Sequence, residues 1–584
     1  MKNAANLRWP WSHMLSAVVI ILLSLSILGC GSGNGNNSEN NTTTSSDASL
    51  SDLTVAGAAL DQIFQSSQMT YTASVNYLQD NVSLTPFAAA VGASIKINGI
   101  EVVSGIASAA ITLTEGENLI SLDVTAEDAV TTQRYAIEIL RQSAAQIAQQ
   151  LYLKASDVEE GDKFGTSMAI SGDTLVVGAP GVANNACDGE GDSLSSDSGA
   201  VYVFTRNGGV WSQQACLKAS NTGLGDQFGA SIAIYDDTLV VGAPKESRRS
   251  GAAYVFVRIN GIWSEQAYLK ASNAEGADIS FYGGDQFGAS VAISGDTLVV
   301  GAPFEDTSDR GSGFYSGTGS GAAYVFTRSG EVWSQQAYLK SSNGDAADQF
   351  GTSLAVSHDT LVVGAPFEDS SVTGGESDNS ASDAGAVYVF NRSGGVWSQQ
   401  AYLKSSNGEV QDQFGTVMAI SGDTLVVAAP LEDDSVEGGV NLIPLNDSGA
   451  TYVFTRSDGV WSQQAYLKAN NAGWDDQFGA SIAISGDNLV VGAPGEASSA
   501  NAGERDNNTA LAAGAAYLFS RSDGIWSQQS YLKASNVEAE DKFGSSVAIS
   551  SDTLVVGAPE EASNESGGEG DNSTSGAGAT YIWR

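Results

Sequence analysis

Residues 287–303 read FGASVAISGDTLVVGAP, residues 321–328 read GAAYVFTR, and residues 333–340 read WSQQAYLK. These runs are rich in β-branched and aromatic residues and are bounded by Gly, Asp and Ser, the pattern of short strands joined by tight turns. The unit repeats. Phe-Gly recurs at 164, 228, 287, 350, 414, 478 and 543. Gly-Ala-Pro follows at 178, 242, 301, 364, 492 and 557, with Ala428-Ala429-Pro430 in the fifth copy. A third run contains Tyr202, Tyr254, Tyr324, Tyr388, Tyr452, Tyr517 and Tyr581, and a fourth opens at Trp211, Trp263, Trp333, Trp397, Trp461 and Trp526. Seven copies share residues 149–584, a period of about 62 residues. Four strands per copy in tandem read as propeller blades.

The ends of the array agree with a closed ring. The last copy stops at Tyr581-Ile582-Trp583-Arg584 and lacks its fourth run. The array opens with Gln149-Gln150-Leu151-Tyr152-Leu153-Lys154-Ala155, which is the counterpart of that missing run. The first strand is therefore expected to complete the last blade, leaving no open edge to template aggregation.

These in-phase copies resemble FG-GAP repeats, the units of the seven-bladed propeller of integrin α subunits and of many bacterial surface proteins. The resemblance implies extracellular recognition and often calcium binding. The family's cation loop, D-x-[DN]-x-[DN]-G-x-x-D, lies between the FG and GAP strands. Here that link is only Ser171-Gly172-Asp173, Ser294-Gly295-Asp296, Ser357-His358-Asp359 and their equivalents. So short a turn cannot supply the six or more oxygens that calcium takes.

We label the strands a (FG), b (GAP), c (YVF) and d (WSQQ). In a meander, the b–c and d–a loops share one face. The b–c loops are long and acidic in six blades. Glu stands two residues after Pro at Glu246, Glu305, Glu368, Glu432, Glu496 and Glu561. A Glu-x-Asp pair follows in four blades: Glu190/Asp192, Glu376/Asp378, Glu504/Asp506 and Glu569/Asp571. Carboxylates two residues apart with a Glu nearby are candidate hard-cation ligands, so calcium is the expected ion. The plain alternative is acidic turns that solvate the face and were copied with the repeat. An Asp two residues before each Phe-Gly, as at Asp162, Asp348 and Asp412, reads as a turn cap. The loop aromatics that do not repeat, Phe281, Tyr282, Phe314, Tyr315 and Trp474, are candidate ligand contacts. Cys187 lies in the first b–c loop and Cys216 replaces the Tyr of strand d. Their pairing stays open.

Before the array, residues 49–142 carry alternating runs such as Ile95-Lys96-Ile97 and Leu119-Ile120-Ser121-Leu122-Asp123-Val124, separated by Gly-containing turns. About 90 residues of such pattern suit a β-sandwich. The string from Leu50-Ser51-Asp52-Leu53 to Arg134-Tyr135-Ala136-Ile137 resembles the cadherin-like sandwich of bacterial surface proteins. Leu119, Leu122 and Val124 are expected in its core. Residues 31–48 are Gly, Asn, Ser and Thr without apolar period and read as a flexible tether. Residues 1–30 hold Lys2, Arg8 and an apolar run Leu15–Leu28, too short for a comfortable membrane span but suited to a signal-peptide core. The run ends Leu28-Gly29-Cys30, which resembles the lipobox of bacterial lipoproteins. The resemblance implies acylation of Cys30, membrane attachment, and an outer-membrane address facing the periplasm or the surface.

The fold class is thus all-β: a small sandwich, then a seven-bladed propeller. The chain has 584 residues, 67 Asp+Glu against 26 Lys+Arg, and a net charge of −41. Such charge repels a nucleic acid backbone and fits cations or basic partners. Of two His, His13 lies in the leader and His358 in a turn, so a Ser–His–Asp triad and a His zinc site are disfavoured. The leading reading is a non-enzymatic recognition or adhesion protein binding a protein or glycan. The alternatives are a glycosidase or lyase working from paired carboxylates, and a passive structural part of the envelope.

Overall fold

A computed structural model describes residues 44–157, 159–183, 187, 197–273, 284–306, 319–371, 375–376, 378–433, 446–499, 508–563 and 572–584. Seven antiparallel four-stranded sheets follow one another along the chain, each in the order a-b-c-d. In the third blade these are Ser290–Ser294, Thr297–Ala302, Ala322–Ser329 and Val332–Leu339. The seventh sheet takes its outer strand from the start of the array: Gln149–Leu153 pairs with Ala579–Trp583, with Tyr152 opposite Tyr581. The ring is closed as the two end sequences require.

Burial explains the wording of each strand. Strand b, TLVVGA in the third blade, is buried at every position because neighbouring blades cover both its faces. A continuous apolar run is the expected signature of such a strand. Strand c is buried through AAYVF and emerges at its last residues, whereas strand d is the outer edge and alternates. Cores span blade boundaries. Phe287, Tyr324 and Phe326 pack with Val240, Val255 and Leu269 of the preceding blade. Phe287 meets Tyr324 edge-on, with ring centroids 5.3 Å apart, a favoured aromatic geometry.

The glycine of Gly-Ala-Pro marks a close approach between blades. A Cβ on Gly301 would lie 2.1 Å from the carbonyl oxygen of Gly351 in the next blade. The fifth blade has Ala428 there, and its strand a begins later, at Met418.

The sandwich has a three-stranded sheet (Leu50–Ala56, Asn81–Ala88, Ile111–Thr112) against a five-stranded one (Thr70–Val75, Thr132–Arg141, Gly116–Thr125, Ser94–Ile97, Ile100–Val102). Leu50, Tyr71, Leu84, Leu122, Val124 and Ile137 fill it. Leu119 corrects the sequence reading. It is 66% exposed, because Ile120, Leu122 and Val124 share the inward parity of the strand and Leu119 has the other.

The sandwich rests on the sixth and seventh blades. Tyr77 Oη and Ser520 Oγ are 2.7 Å apart, Asn76 Nδ2 donates to Asp552 O at 2.7 Å, and Asn488 Nδ2 donates to Leu78 O at 3.3 Å. Tyr77, Leu78 and Ala144 join the apolar cluster of Leu554, Tyr581 and Trp583. Asp552 lies in an a–b turn, Asn488 just after one, and Ser520 near a c–d hairpin. The sandwich therefore occupies the end opposite the b–c and d–a loops.

Candidate functional site at the loop face

In six blades the first turn of the b–c loop is built around the Glu two residues after Pro. In the third blade, Glu305 Oε2 lies 2.7 Å from Lys340 Nζ at the end of strand d. Its Oε1 accepts from Asn273 Nδ2 at 2.9 Å, and Asn273 Oδ1 accepts from Tyr324 Oη at 2.8 Å. Asn273 lies just past strand d of the second blade, so one carboxylate ties a loop to its own outer strand and to the segment leaving the neighbouring blade. The same pairing recurs for Glu246–Lys270, Glu368–Lys404, Glu432–Lys468, Glu496–Lys533 and Glu561–Lys154.

This is a different setting from the one read for Glu305, Glu368, Glu432 and Glu561 as cation ligands. All four are about 1% exposed and beneath the loops, each against a lysine. A lysine held there supplies the positive charge that a buried carboxylate needs. Burial pulls Lys154, Lys404 and Lys533 below the ordinary lysine range, opposed by the facing glutamate charge.

Of the Glu-x-Asp pairs, Glu376 and Asp378 lie within the described residues. Glu376 Oε2 accepts from Ser342 Oγ at 2.6 Å, and Asp378 Oδ2 accepts from the hydroxyls of Ser371 and Ser380. The Ser371 hydroxyl holds Asp378 below the usual carboxylate range, with Ser380 adding to it. Among the described residues, no group of three or more His, Cys, Asp or Glu side chains is placed to hold a metal ion. Glu190, Asp192, Glu504, Asp506, Glu569 and Asp571 lie outside the described residues, as do Phe281, Tyr282, Phe314 and Tyr315. Trp474 is on the loop face, 62% exposed, in the d–a loop entering the sixth blade. The neighbouring Asp475 donates its N–H to Asn446 O of the fifth blade's b–c loop.

The Asp preceding Phe-Gly caps its turn. Asp162, Asp348, Asp412 and Asp476 each accept, at 2.7 Å, a backbone N–H three residues earlier, from Glu159, Asp345, Glu409 and Gly473. Burial pushes these four carboxyls, and Asp541, up to about 7.

The first blade departs from the pattern. Val182 stands where the others have Glu, Cys216 where they have Tyr, and Asp157 where they have Asn. Cys187 and Cys216 are disulfide-bonded, with Cα atoms 5.3 Å apart. Asp157 accepts from Tyr202 Oη at 2.7 Å and from the N–H of Cys187 at 3.3 Å. The carboxylate has moved from the loop to the closing segment, and a covalent bond holds the loop instead.

The opposite face carries a second repeated device that the sequence reading missed. Arg392 pairs with Asp359 of its own a–b turn, lies over the Trp397 ring at 5.2 Å, and donates to Thr297 Oγ1 of the previous blade at 2.9 Å. Equivalent contacts join Arg258 to Thr174, Arg328 to Thr238, Arg456 to Thr360 and Arg521 to Thr424. The signal was a fixed Arg two residues after each Phe of YVF, with an Asp in every a–b turn.

Residues 147–204, 211–256, 263–326, 333–390, 397–454, 461–519 and 526–583 each match the FG-GAP repeat. The chain belongs to the FG-GAP repeat family. Residues 50–142 match the cadherin-like beta sandwich domain. The FG-GAP chain is 29% identical to integrin alpha-2 of Mus musculus and 28% identical to integrin alpha-2 of Bos taurus, over 121 residues, 19% of this chain and 10% of each integrin. It is 33% identical over 105 residues, 18% of this chain, to an Evansella cellulosilytica protein whose name provisionally assigns it to a membrane. The FG-GAP chain spans 16% of that protein, so these likenesses cover only a small part of each relative. Among the described residues, no helix is long and apolar enough to cross a membrane.

Proposed function

We propose that this FG-GAP protein is a recognition protein of the cell envelope, anchored by a lipid on Cys30 and binding a protein or glycan with its b–c and d–a loop face. The observation that carries the reading is the placement of the sandwich. It sits at the a–b end of the ring, and the described bases of the b–c and d–a loops lie at the other end. Trp474 is exposed there, and an acidic rim favours a partner with basic groups or one bridged by calcium. Of the paired carboxylates on which a glycosidase reading leans, Glu376 and Asp378 are engaged by serine hydroxyls, which favours binding over hydrolysis.

The test is binding of the purified chain to intact cells and a glycan array, with and without calcium, beside Trp474→Ala. The reading expects the substitution to weaken binding, and it fails if no partner is retained or if Trp474→Ala binds as the parent does. Acylation is tested separately. Cys30→Ala is expected to move the protein out of the membrane fraction and abolish incorporation of labelled palmitate.

A further inference from the structure

The seam between sandwich and propeller encloses a cleft of about 830 Å³. It arises because the sandwich and the connector after it touch the ring over the sixth and seventh blades. The Tyr77–Leu78 turn covers the sixth and seventh blades, and Ala144 O accepts from Ser530 Oγ on the sixth blade's outer strand. Beside those supports the sandwich overhangs the junction of the seventh and first blades without filling it. The volume lies in the range of small-molecule sites.

The wall is made of amides from Gln79, Gln142, Gln146 and Gln150. The floor is a chain of charges. Asp173 meets Arg206, Arg206 meets Asp552 at 2.9 Å, and Asp552 meets Arg584. Burial alone would raise Asp552, but hydrogen bonds from Arg206 and Thr553 and the two arginine charges hold it below its usual range. The four side chains of the floor therefore balance, two positive and two negative. Open valences face the space. The Gln142 side-chain amide has no hydrogen-bond partner among the described residues, and Gln146 uses Oε1 on Ser143 N–H, at 2.8 Å. Asp173 is exposed beyond its arginine bond. Gly57 and Ala58 leave the sandwich side free of bulk.

A phosphate or carboxylate ligand needs a net positive site, and a cation needs a net negative one. A neutral lining that mixes donors and acceptors on planar side chains matches groups that donate and accept together, as vicinal hydroxyls do. We propose that this cleft binds a neutral oligosaccharide, at a site separate from the loop face.

Saturation-transfer NMR on the full chain tests it, with maltotetraose, xylotetraose and triacetylchitotriose as probes and trigalacturonate as the anionic control. At least one neutral probe should give signal and trigalacturonate none. Gln142→Trp, which fills the cleft, should weaken that binding about tenfold or more with an unchanged melting temperature. Trp474→Ala, on the loop face, should leave it unchanged. If Gln142→Trp destabilises the fold, the double variant Gln142→Ala/Gln146→Ala removes the amides without adding bulk and should weaken binding likewise. The proposal is overturned if no neutral probe binds, if trigalacturonate binds equally, if the cleft variants bind as the parent, or if Trp474→Ala alone abolishes the signal. In that last case the sugar belongs to the loop face, and the proposed function stands without the cleft.

Discussion

Glu561 Oε2 lies 2.7 Å from Nζ of Lys154, 407 residues earlier in the chain. This ion pair joins the closing strand to the loop of the seventh blade, and both side chains are buried. Removing one partner of a buried pair leaves an uncompensated charge, which costs about 3–5 kcal/mol. Lys154→Met should lower propeller stability by about that amount in urea titration. Lys154→Met with Glu561→Leu should recover much of the loss, because the orphaned charge is gone. A double variant no better than the single one would exclude this account of the pair.

Stability should fall as pH rises toward neutrality and above. Asp348, Asp412 and Asp476 have folded pKa values of about 7, against an ordinary value of 3.8. Between those values the native state holds more protons than the unfolded chain, so raising pH favours unfolding. The contribution is complete below about 4 and gone once pH has passed through about 7. Melting scans from pH 5 to 8 should show a declining midpoint. Asp→Asn at all three positions keeps the turn acceptor and should make that decline shallower, with Asp162 and Asp541 still titrating.

Reduction should loosen the first blade in particular. The Cys187–Cys216 bond closes a loop with a sequence separation of 29 residues, and such a cross-link contributes on the order of 3 kcal/mol. Dithiothreitol should lower the melting temperature. The quadruple variant Asp157→Asn, Val182→Glu, Cys187→Ser and Cys216→Tyr gives the blade the residues of its neighbours. Its melting temperature should not respond to dithiothreitol.

The arginine clamps should report on contact between blades. Arg392→Ala removes an ion pair, a stack on Trp397 and a hydrogen bond to the preceding blade. The expected loss is about 1–3 kcal/mol by urea titration. Arg392→Lys keeps the charge but not the planar fork, so it should recover only part. Full recovery by lysine would mean that charge alone matters at this position.

Repetition alone settles the ring. Seven copies of a four-strand pattern, with the missing outer strand placed at the opposite end of the array, admit one closed pairing, and Tyr152 stands opposite Tyr581. The turn-capping role of Asp412 was legible for the same reason, because its partner lies three residues away. The fate of Glu305 was not. Its acidic loop reads as exposed, and Lys340 reaches it across 35 residues only once the outer strand lies beside the loop. Leu119 was misplaced because an apolar pair in a strand does not state which member faces inward. The Cys187–Cys216 bond, the side of the ring on which Tyr77 and Asn76 dock, and the cleft beneath Gln142 all rest on contacts between distant segments. Local pattern encodes hydrogen-bonded neighbours and periodic burial, whereas these features depend on how finished blades and domains meet in space.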